Sequence, residues 1–158
     1  MNNMKWKIFA TLIVGLGLAG CDQRPTGGST PVQEGKVAFE RELDSAQVAR
    51  GKQVYEKYCL ECHGEQGKGL AGDWRIRDAD GMFPPPPLDD SAHAWHHPTA
   101  ALLQTIREGS PQGTGKMPAW KDKLSEQEMQ DVVEYIKSLW SDPVYEQWLK
   151  MEQQSLGG

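Results

Sequence analysis

Cys59-Leu60-Glu61-Cys62-His63 constrains what this chain can become more than any other stretch. It closes a segment with helical apolar spacing and sets two thiols and an imidazole at relative positions i, i+3 and i+4. On a helix those positions share one face, so all three can reach a single flat ligand. Cys-x-x-Cys followed at once by His is the attachment signature of c-type haem: the two sulfurs add to the vinyl groups and the imidazole ligates iron. Three other chemistries compete. A redox dithiol needs no adjacent His and accompanies a βαβ pattern, which this chain lacks. A zinc site wants a second pair of soft ligands, and the one other cysteine is Cys21. A disulfide spanning one helical turn would constrain almost nothing. Haem is the reading that uses all three side chains.

The chain has 158 residues, room for one small domain with appendages. Its net charge of −5 argues against nucleic acid or an anionic membrane surface as partner. Cys21 is accounted for by what precedes it. Lys5 and Lys7 form a basic start, and Ile8 to Leu18 is an apolar run of signal-peptide length. Spanning a bilayer takes about 20 such residues, so a retained transmembrane helix is the weaker reading. Leu18-Ala19-Gly20-Cys21 resembles the lipobox of bacterial lipoproteins, which implies a signal peptide at 1–20 that is removed and a lipidated Cys21. An ordinary secretory signal with an incidental cysteine is the alternative. Loss of Lys5 and Lys7 would leave a net charge of −7 on the side chains. Asp22, next to the lipidated position, would favour the inner membrane. Residues 21–44, with Pro25, Gly27, Gly28, Ser29 and Pro31, are expected to be a flexible tether.

Asp44 and Ser45 offer an N-cap for the helix that carries the motif. Gly51, Val54, Tyr55, Tyr58 and Cys62 fall at helical spacing along it. A mid-helix glycine costs about 1 kcal/mol relative to alanine, so Gly51 predicts close approach by another helix. Further on, Ser125-Glu126-Gln127-Glu128 reads as a capping box. It opens a helix to about Trp140, with Met129, Val132, Val133, Tyr135, Ile136 and Leu139 as its apolar stripe. Thr99 to Glu108 reads as a shorter helix ended by Gly109. Beyond Trp140, Asp142 and Pro143 predict the start of a short extra helix within 141–158, with Val144, Trp148 and Met151 at helical spacing.

Gly51, Tyr55 and Cys59, each four residues apart, resemble the N-terminal helix of class I cytochromes c. The resemblance covers residues 45–140. It implies an all-α class I cytochrome c fold, in which the N- and C-terminal helices cross around one covalently bound haem c. Val132 and Tyr135 are similar to the positions that meet the glycine and aromatic in that crossing. Pro86-Pro87-Leu88 matches the family's Pro-x-Leu, which implies that the Pro86 carbonyl accepts from the second nitrogen of His63, although four consecutive prolines leave the register open by one. Gly115-Lys116-Met117-Pro118-Ala119-Trp120 resembles the family's methionine loop. It implies Met117 as the second axial ligand and Trp120 packed on the haem edge. A thioether suits haem iron, and Met/His ligation raises the reduction potential. Met82 is the runner-up, since Met129 and Met151 fall in helices.

Trp74, Arg75 and Arg77 are either propionate partners or residues of a solvated loop. His93, His96 and His97 are close enough in sequence to bind a metal, yet no carboxylate-plus-His pattern completes a ligand set, and a surface loop is expected. The resemblance implies a single-electron carrier of a periplasmic respiratory chain rather than an enzyme, lipid-anchored on the periplasmic side of the membrane. Its donor would be a quinol-oxidising complex or dehydrogenase, and its acceptor a terminal oxidase or reductase. A ligand sensor in which Met117 dissociates, or an electron-transfer or assembly subunit of a larger oxidoreductase complex, is the alternative.

Overall fold

The Asp44 carboxylate turns back onto the N–H groups of Ala46 and Gln47, at 2.8 and 3.0 Å, and so starts the first helix of a computed structural model that describes residues 40–157. The signal segment, Cys21 and the tether up to residue 39 lie outside the described residues. The element order is α1 (Ser45–Tyr58), α2 (Leu60–His63), α3 (Thr99–Glu108), α4 (Glu126–Ser138) and α5 (Asp142–Leu156). Two single 3-10 turns, at Glu65–Gly67 and Ala94–His96, interrupt the long connection between α2 and α3. Among the described residues the fold is all-α; one isolated parallel bridge joins Phe83 to Gly115.

The core forms where α1 crosses α4. Gly51 is buried, and a Cβ there would sit 1.9 Å from the Asp131 carbonyl oxygen and 2.9 Å from the Tyr135 Cβ. The backbones therefore touch at a point only glycine permits. One turn on, the Tyr55 and Tyr135 rings meet at 5.1 Å with a 53° tilt. The crossing predicted from Gly51 and Tyr55 is present, with Asp131 and Tyr135 as its counterparts and Val132 fully buried beside them. The rim of the crossing is polar. The Arg50 guanidinium forks onto the buried Asp131 carboxylate at 2.8 and 3.2 Å and holds it below the usual carboxylate range.

α4 opens on the full capping box: Ser125 Oγ accepts from Glu128 N–H at 3.2 Å, and the Glu128 carboxylate accepts from Ser125 N–H at 2.8 Å. The helix is covered on both sides, since Asp131, Val132, Val133, Tyr135, Ile136 and Lys137 are all buried. α3 supplies part of the second cover, and the rest comes from α5, whose Trp148 ring lies under Lys137 at 4.7 Å. α5 is longer than the short helix expected, running 15 residues with Ser141 at its N-cap instead of Asp142, which pairs with Arg41 at 2.6 Å. Its Tyr145 and Trp148 are buried against Trp140, with ring centroids of the two tryptophans 5.7 Å apart. Glu152 then accepts from the Thr99 N–H at 2.8 Å and so caps the start of α3.

Gly51→Ala should lower stability by about 3 kcal/mol, because neither backbone can retreat without undoing the crossing. Gln53→Ala, on the exposed face of the same helix, should stay within about 0.5 kcal/mol. Denaturant unfolding of the two variants beside the parent checks both.

Candidate functional site

The motif does not continue α1 as an unbroken helix. Cys59 stands at the joint, with φ −116° and ψ −30°; its N–H still reaches the Tyr55 carbonyl at 2.9 Å, while its own carbonyl accepts from Cys62 and His63. α2 is the single turn that carries Cys62 and His63. Gly64 ends it at φ +72°, and a Cβ there would meet the Gly69 carbonyl at 2.2 Å. Tyr55 Oη donates to the Gly64 carbonyl at 2.6 Å. Burial keeps that hydroxyl protonated well above the ordinary tyrosine range. Tyr55 thus serves the helix crossing with its ring and the motif with its hydroxyl. The sequence marked the first role, and only the geometry reveals the second.

The proline loop is brought to His63 by three backbone-directed bonds. The Gly67 carbonyl accepts from Leu88 N–H at 2.6 Å and from Asp89 N–H at 3.3 Å, and Trp140 Nε1 donates to the Leu88 carbonyl at 2.9 Å. Held there, the Pro86 carbonyl lies 2.9 Å from His63 Nδ1. A carbonyl can only accept, so Nδ1 carries the proton and Nε2 keeps its lone pair. Burial lowers the His63 pKa, with the Pro86 carbonyl opposing, so the ring is a neutral donor near pH 7. The Cys59 thiol is pushed up to about 12 by burial, with Cys62 adding to the effect. A thiol held protonated in this way is a poor dithiol reagent, which argues against the redox-pair chemistry.

Met117 is half-buried and, like Cys59 and Trp120, packs against the core. Its loop is fastened to the end of α3. Ser110 N–H donates to the Met117 carbonyl at 2.9 Å, Met117 N–H donates to Ser110 Oγ at 3.2 Å, and Trp120 N–H reaches the Ile106 carbonyl at 3.1 Å. Gly109, at φ +79°, lets Met117 and Ala119 pass; a Cβ there would stand 2.6 Å from the Met117 carbonyl oxygen. Trp120 meets the edge of Tyr58 at 5.4 Å, one residue before the motif. Met82 instead sits in a tight turn, its N–H bonded to Asp78 at 3.0 Å.

The three residues set aside as propionate partners have other occupations. Arg77 donates to the Gly81 and Gly113 carbonyls, Arg75 pairs with Asp73 at 3.3 Å, and Trp74 stacks on His93 at 5.0 Å. His96 ends a 3-10 turn that His93 and His97 flank, and no cluster of three or more His, Cys, Asp or Glu suited to a metal ion occurs among the described residues.

The donor set fits a haem: two unpaired thiols and a neutral, pre-oriented imidazole on one short segment, with a half-buried thioether on a fastened loop. His93 Nδ1 and Trp95 Nε1 are also buried without a protein partner, as is Trp148 Nε1 in the α4–α5 core. Such orphaned nitrogens are uncommon, and the first two suit a bound group that carries hydrogen-bond acceptors.

Residues 46–136 match the family described as Cytochrome C oxidase, cbb3-type, subunit III. The Cbb3-type cytochrome c oxidase subunit CcoP of Azospirillum brasilense is 33% identical over 101 residues, 63% of this chain and 31% of that protein. The corresponding subunit FixP of Bradyrhizobium diazoefficiens is 30% identical over 92 residues, 58% of this chain and 27% of that protein. Chloroplastic cytochrome c6 of Chlamydomonas reinhardtii is 30% identical over 92 residues, 58% of this chain and 54% of that protein. The chain thus spans about a third of the length of the CcoP and FixP relatives it matches. Among solved structures, cytochrome CL from Methylophaga aminisulfidivorans is 21% identical, with a TM-score of 0.47 covering 78% of this chain and 83% of that one.

Tyr55→Phe keeps the ring in the crossing and removes only the hydroxyl. It should lower stability by about 1 kcal/mol, because the buried Gly64 carbonyl loses the closer of its two donors and keeps only the Gly67 N–H at 3.3 Å. Denaturant unfolding measures this, and a loss no larger than that of an exposed control such as Gln53→Ala would contradict the role given to the hydroxyl.

Proposed function

The chain belongs to the family described as Cytochrome C oxidase, cbb3-type, subunit III, a family of cytochrome c domains that bind haem c covalently, and on that premise we propose that it is a single-electron carrier with His/Met-ligated iron, working in a periplasmic respiratory chain. The observation that carries this proposal is the His63–Pro86 pair at 2.9 Å. A carbonyl on Nδ1 fixes the ring, selects the tautomer with Nε2 free and makes that nitrogen a stronger donor.

Cys59 and Cys62 would hold the haem through their sulfurs, and His63 and Met117 would ligate its iron. The haem supplies a one-electron couple. The protein keeps both ligands in place through a change of charge: His63 through Pro86 and the Gly64 turn, Met117 through Ser110 and Gly109. Soft thioether ligation raises the potential, which suits delivery to an oxidase. With His63 and Met117 both engaged, the bound group would serve electron transfer, and substrate turnover is not expected of this chain. Trp120 shields the site beside Tyr58.

An oxidase of the cbb3 type, the assembly named in the CcoP and FixP relatives, is the acceptor this proposal favours. The donor is a quinol-oxidising complex or a dehydrogenase. Residues 1–20 are a signal peptide, 21–44 a tether lipidated at Cys21, and 45–140 with the 141–158 extension the electron-carrying part. Among the described residues no helix is long and apolar enough to cross a membrane. On this proposal the lipid on Cys21 is the anchor, on the periplasmic face and by Asp22 on the inner membrane.

Met117→Ala should abolish the weak far-red band of methionine–iron bonding in the ferric protein and let the ferrous form bind carbon monoxide. An unchanged spectrum would assign the ligand elsewhere, with Met82 next to be tested. Cys21→Ser should shift the haem-stained protein from the membrane fraction to the soluble periplasmic fraction; retention on the membrane would remove the lipid anchor from the proposal.

A further inference from the structure

Residues 73–83 form a loop that neither the helix crossing nor the His63 support uses, yet its charged groups converge on the segment just before Met117. The loop is first knit to itself. Asp78 Oδ1 accepts from the N–H groups of Asp80 and Met82 at 2.9 and 3.0 Å, and Asp78 N–H reaches the Met82 carbonyl at 2.8 Å. It is then knit to residues 113–116. Arg77 Nη1 donates to the Gly113 carbonyl at 3.1 Å as well as to the Gly81 carbonyl, with its guanidinium 4.1 Å from the centre of the Phe83 ring. Phe83 N–H donates to the Thr114 carbonyl at 2.9 Å, in register with the bridge to Gly115. Lys116 Nζ lies between Asp78 Oδ2 at 2.8 Å and Asp80 Oδ2 at 2.5 Å.

We propose that the 73–83 loop is a clasp that positions Met117, with Arg77, Asp78, Asp80 and Lys116 as its positioning residues. Ser110 and Gly109 hold Met117 from the α3 side, and the clasp holds the strand of loop that enters it from the other. The inference rests on Met117 as the axial ligand. Ion pairs this exposed add little to global stability, but opening a surface loop involves only a small free energy, so a modest pair changes the open population in proportion. The rate at which an external ligand displaces Met117 reports that population directly.

The test is imidazole binding to the ferric haem protein and carbon monoxide binding to the ferrous one, followed by stopped flow. Lys116→Gln should accelerate both by about three- to tenfold, Lys116→Arg should restore rates near the parent's, and Asp80→Asn, which removes one contact from an exposed position, should give an intermediate rate. Added salt should accelerate the parent and leave Lys116→Gln unmoved, since the pairs it screens are already gone. The denaturant midpoint should be unchanged throughout, which separates loop opening from general loosening. Parent-like rates in Lys116→Gln, or a fall in midpoint that accounts for the faster rates, would overturn the clasp. Met117→Ala in the same assay keeps the two ideas apart. If it binds ligand no faster than the parent, the ligand assignment itself fails; if it binds fast while Lys116→Gln does not, the clasp alone fails.

Discussion

The contact between Gly51 and the Asp131 carbonyl is the constraint on which the rest of this structure depends. It sets the distance and angle between α1 and α4, and the cysteine motif begins at Cys59, directly after the last residue of α1. Each turn of α1 beyond Gly51 is then spoken for: Tyr55 against Tyr135, and Tyr58 against Trp120. The Arg50–Asp131 fork closes the rim with a charge-assisted bidentate pair, which fixes rotation about the crossing as well as distance. A rigid crossing matters because haem attachment offers little tolerance. Two covalent bonds must form on the same short segment.

Around that segment, the supporting groups come from parts of the chain far apart in sequence. His63 is oriented by Pro86, 23 residues on; the Pro86 loop is pinned by Trp140, 52 residues beyond Leu88; and Met117 is pinned by Ser110. Most of these supports end on backbone carbonyls or amides. Such contacts survive changes of side chain at the accepting residue, and they hold position through geometry that a long charged side chain could not match. The redox centre proposed above would benefit from this, since ligands that move little between charge states keep the barrier to electron exchange low.

Much of the fold was legible from residue type and spacing. Gly51 announced a close approach, Ser125 and Glu128 announced the start of α4, and the resemblance carried by Gly51, Tyr55 and Cys59 implied the all-α fold. The motif was legible because its chemistry is set by three neighbouring side chains. What escaped were interactions whose partners are distant in sequence and ordinary in type. Nothing local in Tyr55 says that its hydroxyl will cap Gly64, and nothing in Asp78 says that it will meet Lys116. The break at Cys59 was also hidden, because the spacing of the motif is the same whether α1 runs straight or kinks there. Arg75 and Arg77 looked available for an anionic ligand for the same reason: their partners, Asp73 and the carbonyls of Gly81 and Gly113, become visible only once the loop is folded.

α5 carries a consequence for how the chain divides. The family match ends at residue 136, and a boundary drawn from sequence at Trp140 looks natural. Yet Trp148 is buried against Trp140, Lys137 lies over the Trp148 ring at 4.7 Å, and Glu152 caps the helix that leads to Met117. The unit inherited from relatives and the unit that folds are therefore different lengths of chain. Anyone transplanting this electron carrier into another protein would have to move it from Arg41, which meets Asp142, to at least Glu152. A graft cut just after Trp140 would expose the face of that tryptophan and leave α3 without its cap.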